Sequence, residues 1–246
     1  MAVADTSRGG SPGPGAPGPG SPGTVLVSGG ASGLGAAVVA AVADAGGQPL
    51  VLDRRPAPGW KHEIVDLADG RAAEAATRRL VDSAGGRLDG VFTAAGVDRP
   101  APFRALAGED WERVVAVNLL GTAAVARAGL PYLEASGGRL VTCASTLGLR
   151  VAGDASAYCA SKFGVVGFTR ALAEELKGRV GVTLLVPGGM TTGFFDDRDD
   201  AYKPPPDARL NRPSDVAAAV LFALGQPAGC EVKELVITSS WETSYP

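Results

Sequence analysis

The chain of 246 residues is 46% hydrophobic and carries a net charge of −3, from 23 Lys and Arg against 26 Asp and Glu. That length suits one large α/β domain with a buried core, and an acidic balance without a dense basic stretch excludes a nucleic-acid partner from the expectations. Three widely spaced cysteines (Cys143, Cys159, Cys230) and a single His62 offer neither a disulfide framework nor a metal-ligand cluster, so no metal is expected and a reducing, cytoplasmic setting fits.

Residues 9–23 contain only Gly, Pro, Ser and Ala, which predicts a disordered tail over 1–23 and a folded domain over 24–246. No basic stretch followed by an apolar one marks a signal peptide. The longest apolar runs, such as 216–224, fall short of the roughly 18 residues of a membrane span, so no membrane partner is expected.

A first strand is expected at 25–27, then the glycine loop Ser28-Gly29-Gly30-Ala31-Ser32-Gly33-Leu34-Gly35, then an Ala/Val-rich helix to about Ala45. Glycines let backbone N–H groups approach a ligand closely, and the following helix N-terminus attracts a pyrophosphate. A plain tight turn is the bland alternative, but the strand–loop–helix placement is what a dinucleotide motif requires. The second strand, 48–53, ends in Asp53, about 20 positions past the glycines, where a carboxylate can accept hydrogen bonds from ribose hydroxyls. It would repel a 2′-phosphate, which favours NAD; Arg54 and Arg55 follow at once and leave NADP open. A third strand is expected at 63–66, followed by a helix over 68–84. In this kind of sheet Asp66 and the Leu67 N–H lie near an adenine, and capping of the helix would explain Asp66 equally well.

The fourth strand, 88–93, runs into Ala94, Ala95 and Gly96, small enough for a cofactor to lie against the backbone. A helix over 107–130 carries Trp111, Val114, Val117, Leu120 and Val125 at core and packing spacing, with Asn118, a poor helix-interior residue, in its middle. The fifth strand, 138–144, delivers Ser145 at its carboxyl end, where ligands meet an open parallel sheet. The helix over 156–177 sets Tyr158 and Lys162 one turn apart on one face. An ammonium near a phenol pulls its pKa down from about 10, so the phenol can donate or accept a proton. Such pairs also arise by chance on helix surfaces. The sixth strand, 180–186, leads into Pro187, Gly188 and Thr192, and a polar, Pro-rich stretch over 193–212, with Phe194 and Phe195 at its start, reads as a lid. A helix over 213–224 and a strand over 235–238 close the fold. The alternation predicts a doubly wound parallel sheet with helices on both faces, a three-layer α/β/α arrangement.

Taken jointly, these motifs resemble the single-domain branch of the short-chain dehydrogenase/reductase family over residues 24–238. Ser28-Gly29 with Gly33 and Gly35 resembles the family's glycine opening. Its catalytic Asn, Ser, Tyr and Lys fall on Asn118, Ser145, Tyr158 and Lys162, and its Pro-Gly turn with a downstream Thr on Pro187, Gly188 and Thr192. The resemblance implies a Rossmann-like fold and a cofactor, NAD or NADP, held by Gly29, Ser32, Gly33, Leu34 and Asp53, by Asp66, Leu67, Ala95 and Gly96, and by Tyr158, Lys162, Pro187, Gly188 and Thr192. It implies that Tyr158 passes a proton to or from the oxygen of a ketone or secondary alcohol, with Ser145 bonding the same oxygen. Lys162 would bond the cofactor ribose, Asn118 would hold a relay water, and Thr192 would bond the carboxamide. A homodimer or homotetramer on the helices around Trp111 and Phe163 is implied too.

Two departures stand out: Thr93-Ala94-Ala95-Gly96 replaces the family's Asn-Asn-Ala-Gly, and the tail Ser239-Ser240-Trp241-Glu242-Thr243-Ser244-Tyr245-Pro246 replaces an Asp-Gly-Gly ending. The rival readings are a catalytically silent cofactor-binding protein of the same fold and a sugar-nucleotide epimerase or dehydratase, for which the chain is short.

Overall fold

Short Val- and Leu-rich runs separated by helices must bury both of their faces, and a parallel sheet between two helical layers is how they do it. The computed structural model describes residues 21–242; most of the Gly/Pro-rich stretch and the last four residues lie outside the described residues. Among these, seven strands form one parallel sheet: β1 Thr24–Ser28, β2 Gln48–Asp53, β3 Lys61–Ile64, β4 Gly90–Thr93, β5 Arg139–Cys143, β6 Gly181–Pro187 and β7 Glu234–Ile237. Their order is β3-β2-β1-β4-β5-β6-β7, every neighbouring pair parallel. The central strands β1, β4, β5 and β6 are buried throughout.

Alternate strand residues point to opposite faces. On one face Val25, Val27, Val51 and Phe92 pack on α1 (Gly33–Asp44) and α6 (Pro213–Leu224). On the other, Leu26, Leu50, Val91 and Leu140 pack on α2 (Gly70–Ser83), α4 (Thr122–Ser136) and α5 (Ser156–Glu175). The strand order reverses between β1 and β4, and the crevice beyond their carboxyl ends is where an open α/β sheet takes ligands.

Three local readings of the sequence change. The third strand covers Lys61–Ile64 rather than 63–66, because pairing with β2 ends at Asp53↔Ile64 and Asp66 lies beyond the sheet. The N-cap of α2 is Asp69, whose carboxylate accepts from the Arg71 and Ala72 N–H groups, both at 3.0 Å; Asp66 does not cap that helix. The fourth-strand helix runs past 130 to Ser136 in spite of Pro131, held by fully buried Leu133 on its inner side. This long helix comprises α3 (Gly108–Val115), a wider π-helical turn (Ala116–Gly121) and α4. It is the one helix among the described residues long and apolar enough to cross a bilayer, yet 56% of its most apolar window is buried inside the protein, as in a core helix.

Candidate active site

The glycine loop after β1 folds back so tightly that side chains are excluded. Gly29 has φ +74°, and a Cβ there would lie 2.7 Å from the Ala95 N and Cα atoms. A Cβ on Gly35 would meet the Gly29 carbonyl oxygen at 2.1 Å. Those two close approaches bring the loop against Ala95 and the start of α1 against the loop. Asp53, buried at the end of β2, braces the same loop: its carboxylate accepts from the Ala31 N–H and the Arg55 N–H, both at 3.0 Å.

The first turn of α1 has no acidic residue, and Ser32 at its N-cap makes no side-chain capping bond. Gly33 faces Thr192 across the crevice; a Cβ added there would stand 3.5 Å from the Thr192 Cβ. At the end of β4, a Cβ on Gly96 would have only ordinary contacts, 3.6 Å from Asn118 Oδ1 and 3.7 Å from Lys162 Nζ. An uncapped helix N-terminus, a side-chain-free floor and an adjacent ammonium fit the pyrophosphate and ribose of a dinucleotide.

Asp66 and Leu67 pack against the long helix, at Arg113 and Gly121. The Asp66 carboxylate accepts from the Ala68 N–H at 3.0 Å and pairs with Arg113 at 2.9 Å. The Ala68 bond above all, and then Arg113, hold it below the usual carboxylate range. Leu67 is buried, with its carbonyl against Gly121. On the far side, the Gly188 N–H bonds the Ile237 carbonyl and the Gly189 N–H bonds Glu242 at 3.1 Å, so the unusual C-terminal stretch closes over the turn after Pro187.

Asn118 sits in the π-helical turn with no exposure. Its amide does not serve a carbonyl of its own helix. It donates to the Val97 carbonyl (2.9 Å) and to Ser161 Oγ (3.0 Å), and accepts from the Val97 N–H (2.8 Å). Thus the strand-end loop, the long helix and α5 meet on one side chain.

Ser145 follows β5. Its Oγ accepts the Leu147 N–H at 3.1 Å, which leaves its own proton to donate, and it hydrogen-bonds the Tyr158 phenol. Lys162, buried one turn along α5, donates to the Cys143 carbonyl at 2.9 Å, with Nζ 5.6 Å from the Tyr158 ring centroid. Two of its three N–H bonds remain for a ligand. The structure therefore gathers Asn118, Ser145, Tyr158 and Lys162 at the carboxyl edge of the sheet beside the glycine loop.

The electrostatics differ from the simple Tyr–Lys picture. Burial pushes the Tyr158 phenol well above its ordinary pKa; the Ser145 hydrogen bond and Arg198 oppose this, while Cys143 and Asp98 add to it. Burial lowers the Lys162 ammonium itself. Desolvation outweighs the opposing Ser145 and Arg198, and the phenol is held as an acid. Sequence reasoning missed two groups here, Asp98 after β4 and Arg198 in the lid. They stand 100 positions apart and carry no motif, so only the fold brings them together.

The unassigned hydroxyls at the strand ends bear on Thr93. Ser28 and Thr93 are register partners, and among the described residues both hydroxyls are buried without a hydrogen-bond partner. A longer amide at 93 would have reach that Thr lacks, which gives the Thr93 departure a physical cost.

Comparison with known proteins matches the geometry. A family model described as short chain dehydrogenase matches residues 23–203. The chain is 35% identical over 227 residues to a D-threitol dehydrogenase of Mycolicibacterium smegmatis, covering 82% of this chain and 86% of that protein. It is 30% identical over 242 residues to an L-fucose dehydrogenase of Mus musculus, covering 90% and 89%. Among solved structures, a 3-ketoacyl-(acyl-carrier-protein) reductase from Brucella melitensis complexed with NADH superposes with a TM-score of 0.77 at 24% identity, covering 87% of this chain and 96% of that one. An alcohol dehydrogenase from Thermococcus sibiricus complexed with 5-hydroxy-NADP gives 0.79 at 22%, covering 89% and 97%, and shares the fold. The chain belongs to the short-chain dehydrogenase/reductase family and is an NAD(P)-dependent oxidoreductase acting on the CH–OH or C=O group of an alcohol or ketone.

Proposed function

We propose that this enzyme interconverts a hydroxyl-rich secondary alcohol and its ketone with NAD(H), using Tyr158 as the proton donor and acceptor. The observation that carries the reading is buried Lys162, held on the Cys143 carbonyl at 2.9 Å with its Nζ 5.6 Å from the Tyr158 ring centroid, at the strand end that delivers Ser145. The substrate class is suggested by two relatives named for D-threitol and L-fucose, both hydroxyl-rich.

A bound nicotinamide dinucleotide supplies the hydride. In reduction, Tyr158 gives its phenolic proton to the substrate oxygen, and Ser145 donates a hydrogen bond to the same oxygen as charge builds there. In oxidation both groups act in reverse. Lys162 uses its free donors on ribose hydroxyls. The glycine loop with Ser32 and Leu34 would hold the pyrophosphate, and Ala95, Gly96, Pro187, Gly188 and Thr192 would hold the nicotinamide half. Asn118 fixes the loop at Val97, and its second Oδ1 lone pair is what remains for a relay water.

Asp53 supports NAD over NADP, since its carboxylate stands beside the glycine loop, whereas Arg54 and Arg55 are exposed. Asp53→Ala is expected to lower the NAD-to-NADP preference, read as the ratio of kcat/KM values, by about tenfold or more; an unchanged ratio would remove Asp53 from that role. Gly29→Ala is expected to weaken NADH binding in a fluorescence titration by at least about tenfold, because the loop must withdraw from Ala95.

The raised phenol pKa gives a pH signature. Reduction needs the protonated phenol and should hold its rate from about pH 6 to about pH 8, while oxidation needs the phenolate and should climb into the alkaline range. The first assay is NADH or NADPH consumption with a panel of ketoses and simple ketones. Cofactor binding without turnover on any of them would favour the silent binding protein. In this reading the enzyme works in the cytoplasm as a single domain, 24–246, behind a Gly/Pro-rich tail, and as a homodimer or homotetramer through helices that expose Leu120 and Phe163; light scattering tests the last point.

A further inference from the structure

The lid is closed at its base. The Thr191 N–H bonds the Asn211 carbonyl at 2.9 Å, and the Asn211 N–H bonds the Gly189 carbonyl at 3.0 Å. Its middle is tied down separately. Arg198 pairs with Asp98, on the loop after β4, at 2.9 Å, and the two side chains are only 14% and 4% exposed. The guanidinium lies 4.8 Å from the Phe194 ring centroid and 4.6 Å from that of Phe195. Phe194 in turn packs on Tyr158, with ring centroids 5.7 Å apart. A second tie runs from the Tyr202 hydroxyl to Asp154 at 3.0 Å, on the loop before α5. That loop is joined to the first by the Ala101 N–H bonding the Asp154 carbonyl at 2.8 Å.

A buried ion pair is a poor stabiliser, because desolvating two charges offsets most of their attraction. What this pair does have is position. It joins the lid to the rim of the crevice, and the stacked guanidinium seats Phe194 over the catalytic phenol. We propose that Asp98 and Arg198 are positioning residues that latch the lid over Tyr158 and keep the phenol dry. The latch sits apart from the glycine loop, so it acts on the alcohol side of the site. It does not depend on which alcohol is the substrate.

Hydrogen exchange on the full chain reads the latch without any substrate. In Asp98→Asn and in Arg198→Met, amides in 193–204 should exchange about tenfold or more faster than in the wild type, while β1, β4 and β5 stay protected. Tyr202→Phe should open the same segment less. Exchange within about twofold of the wild type in both single variants would overturn the latch. If a single variant loses protection throughout, the charge-swapped Asp98→Arg/Arg198→Asp chain decides: restored lid protection supports the latch, and a lid as open as in a single variant overturns it.

A purely structural role would leave the phenol unmoved. The charged and titratable groups facing it are Cys143 at the end of β5, Lys162 of α5, Asp98 of the rim and Arg198 of the lid, with the Ser145 hydroxyl bonded to it. Asp98→Asn removes a negative charge and admits water, and both lower the phenol pKa. Ultraviolet titration of the phenolate, with Tyr158→Phe subtracted, should show that fall; an unchanged or raised value counts against the proposal.

Discussion

Replacing Tyr158 by Phe is expected to cut turnover sharply while leaving both the fold and the cofactor site standing. The ring is retained, so its packing against Phe194 at 5.7 Å persists, and only the hydroxyl bonded to Ser145 is lost. Ser145 keeps the Leu147 N–H as a partner, so no buried polar group is stranded. A positioned general acid contributes about 10²–10⁴ in rate, and in the proposed mechanism Tyr158 is that acid. We expect kcat to fall by about that factor, with NADH affinity and melting temperature unchanged. Steady-state kinetics beside a fluorescence titration check both halves. A variant that keeps a tenth of the rate would transfer the acid–base role to another group.

The second large effect is on stability. Asn118→Leu keeps the branched heavy-atom skeleton but removes the partner of the Val97 N–H, the Val97 carbonyl and one bond to Ser161 Oγ. Ser161 retains its bond to the Tyr158 carbonyl, and Val97 is partly open to water, so both losses are cushioned. Stranding buried polar groups costs about 1–3 kcal/mol each, which after that discount gives about 3 kcal/mol here. At about 2–4 °C per kcal/mol for a domain of this size, the melting temperature should drop by about 6–12 °C. A drop of about 1 °C or less would mean that the loop finds other partners.

What could be read in advance was whatever is local or periodic. Leu50, Val51 and Leu52 announce a strand, and its end places Asp53 beside the glycine loop where one hydrogen bond then locks it. Ser145, Tyr158 and Lys162 converge because a strand end and one helix turn are enough to aim them. Edge and loop features were not legible. Lys61-His62-Glu63-Ile64 has too little apolar character to mark the start of an edge strand, so the strand lies two residues earlier than the 63–66 expected. The helix expected over 107–130 runs on through Pro131 to Ser136, because the backbone bond a proline forfeits is outweighed by burying Leu133 in the core. The partners of Asn118, the Asp98–Arg198 pair and the hold of Glu242 on Gly189 each join residues 21 or more positions apart through irregular backbone, where no spacing rule applies.

The π-helical turn has a consequence for how this enzyme tolerates length change. A helix advances about 100° per residue, so the extra residue within Ala116–Gly121 rotates everything beyond it relative to everything before it. On a regular helix Val114 and Leu133 would stand about 100° apart, yet both are buried. The turn works as a phase adjuster between two half-helices. Deleting one residue there would regularise the helix, turn Asn118 away from Val97 and set the buried stripe of one half against solvent. Inserting one would rotate the two halves in the opposite sense. The long helix is thus constrained in its number of residues as well as in their identity.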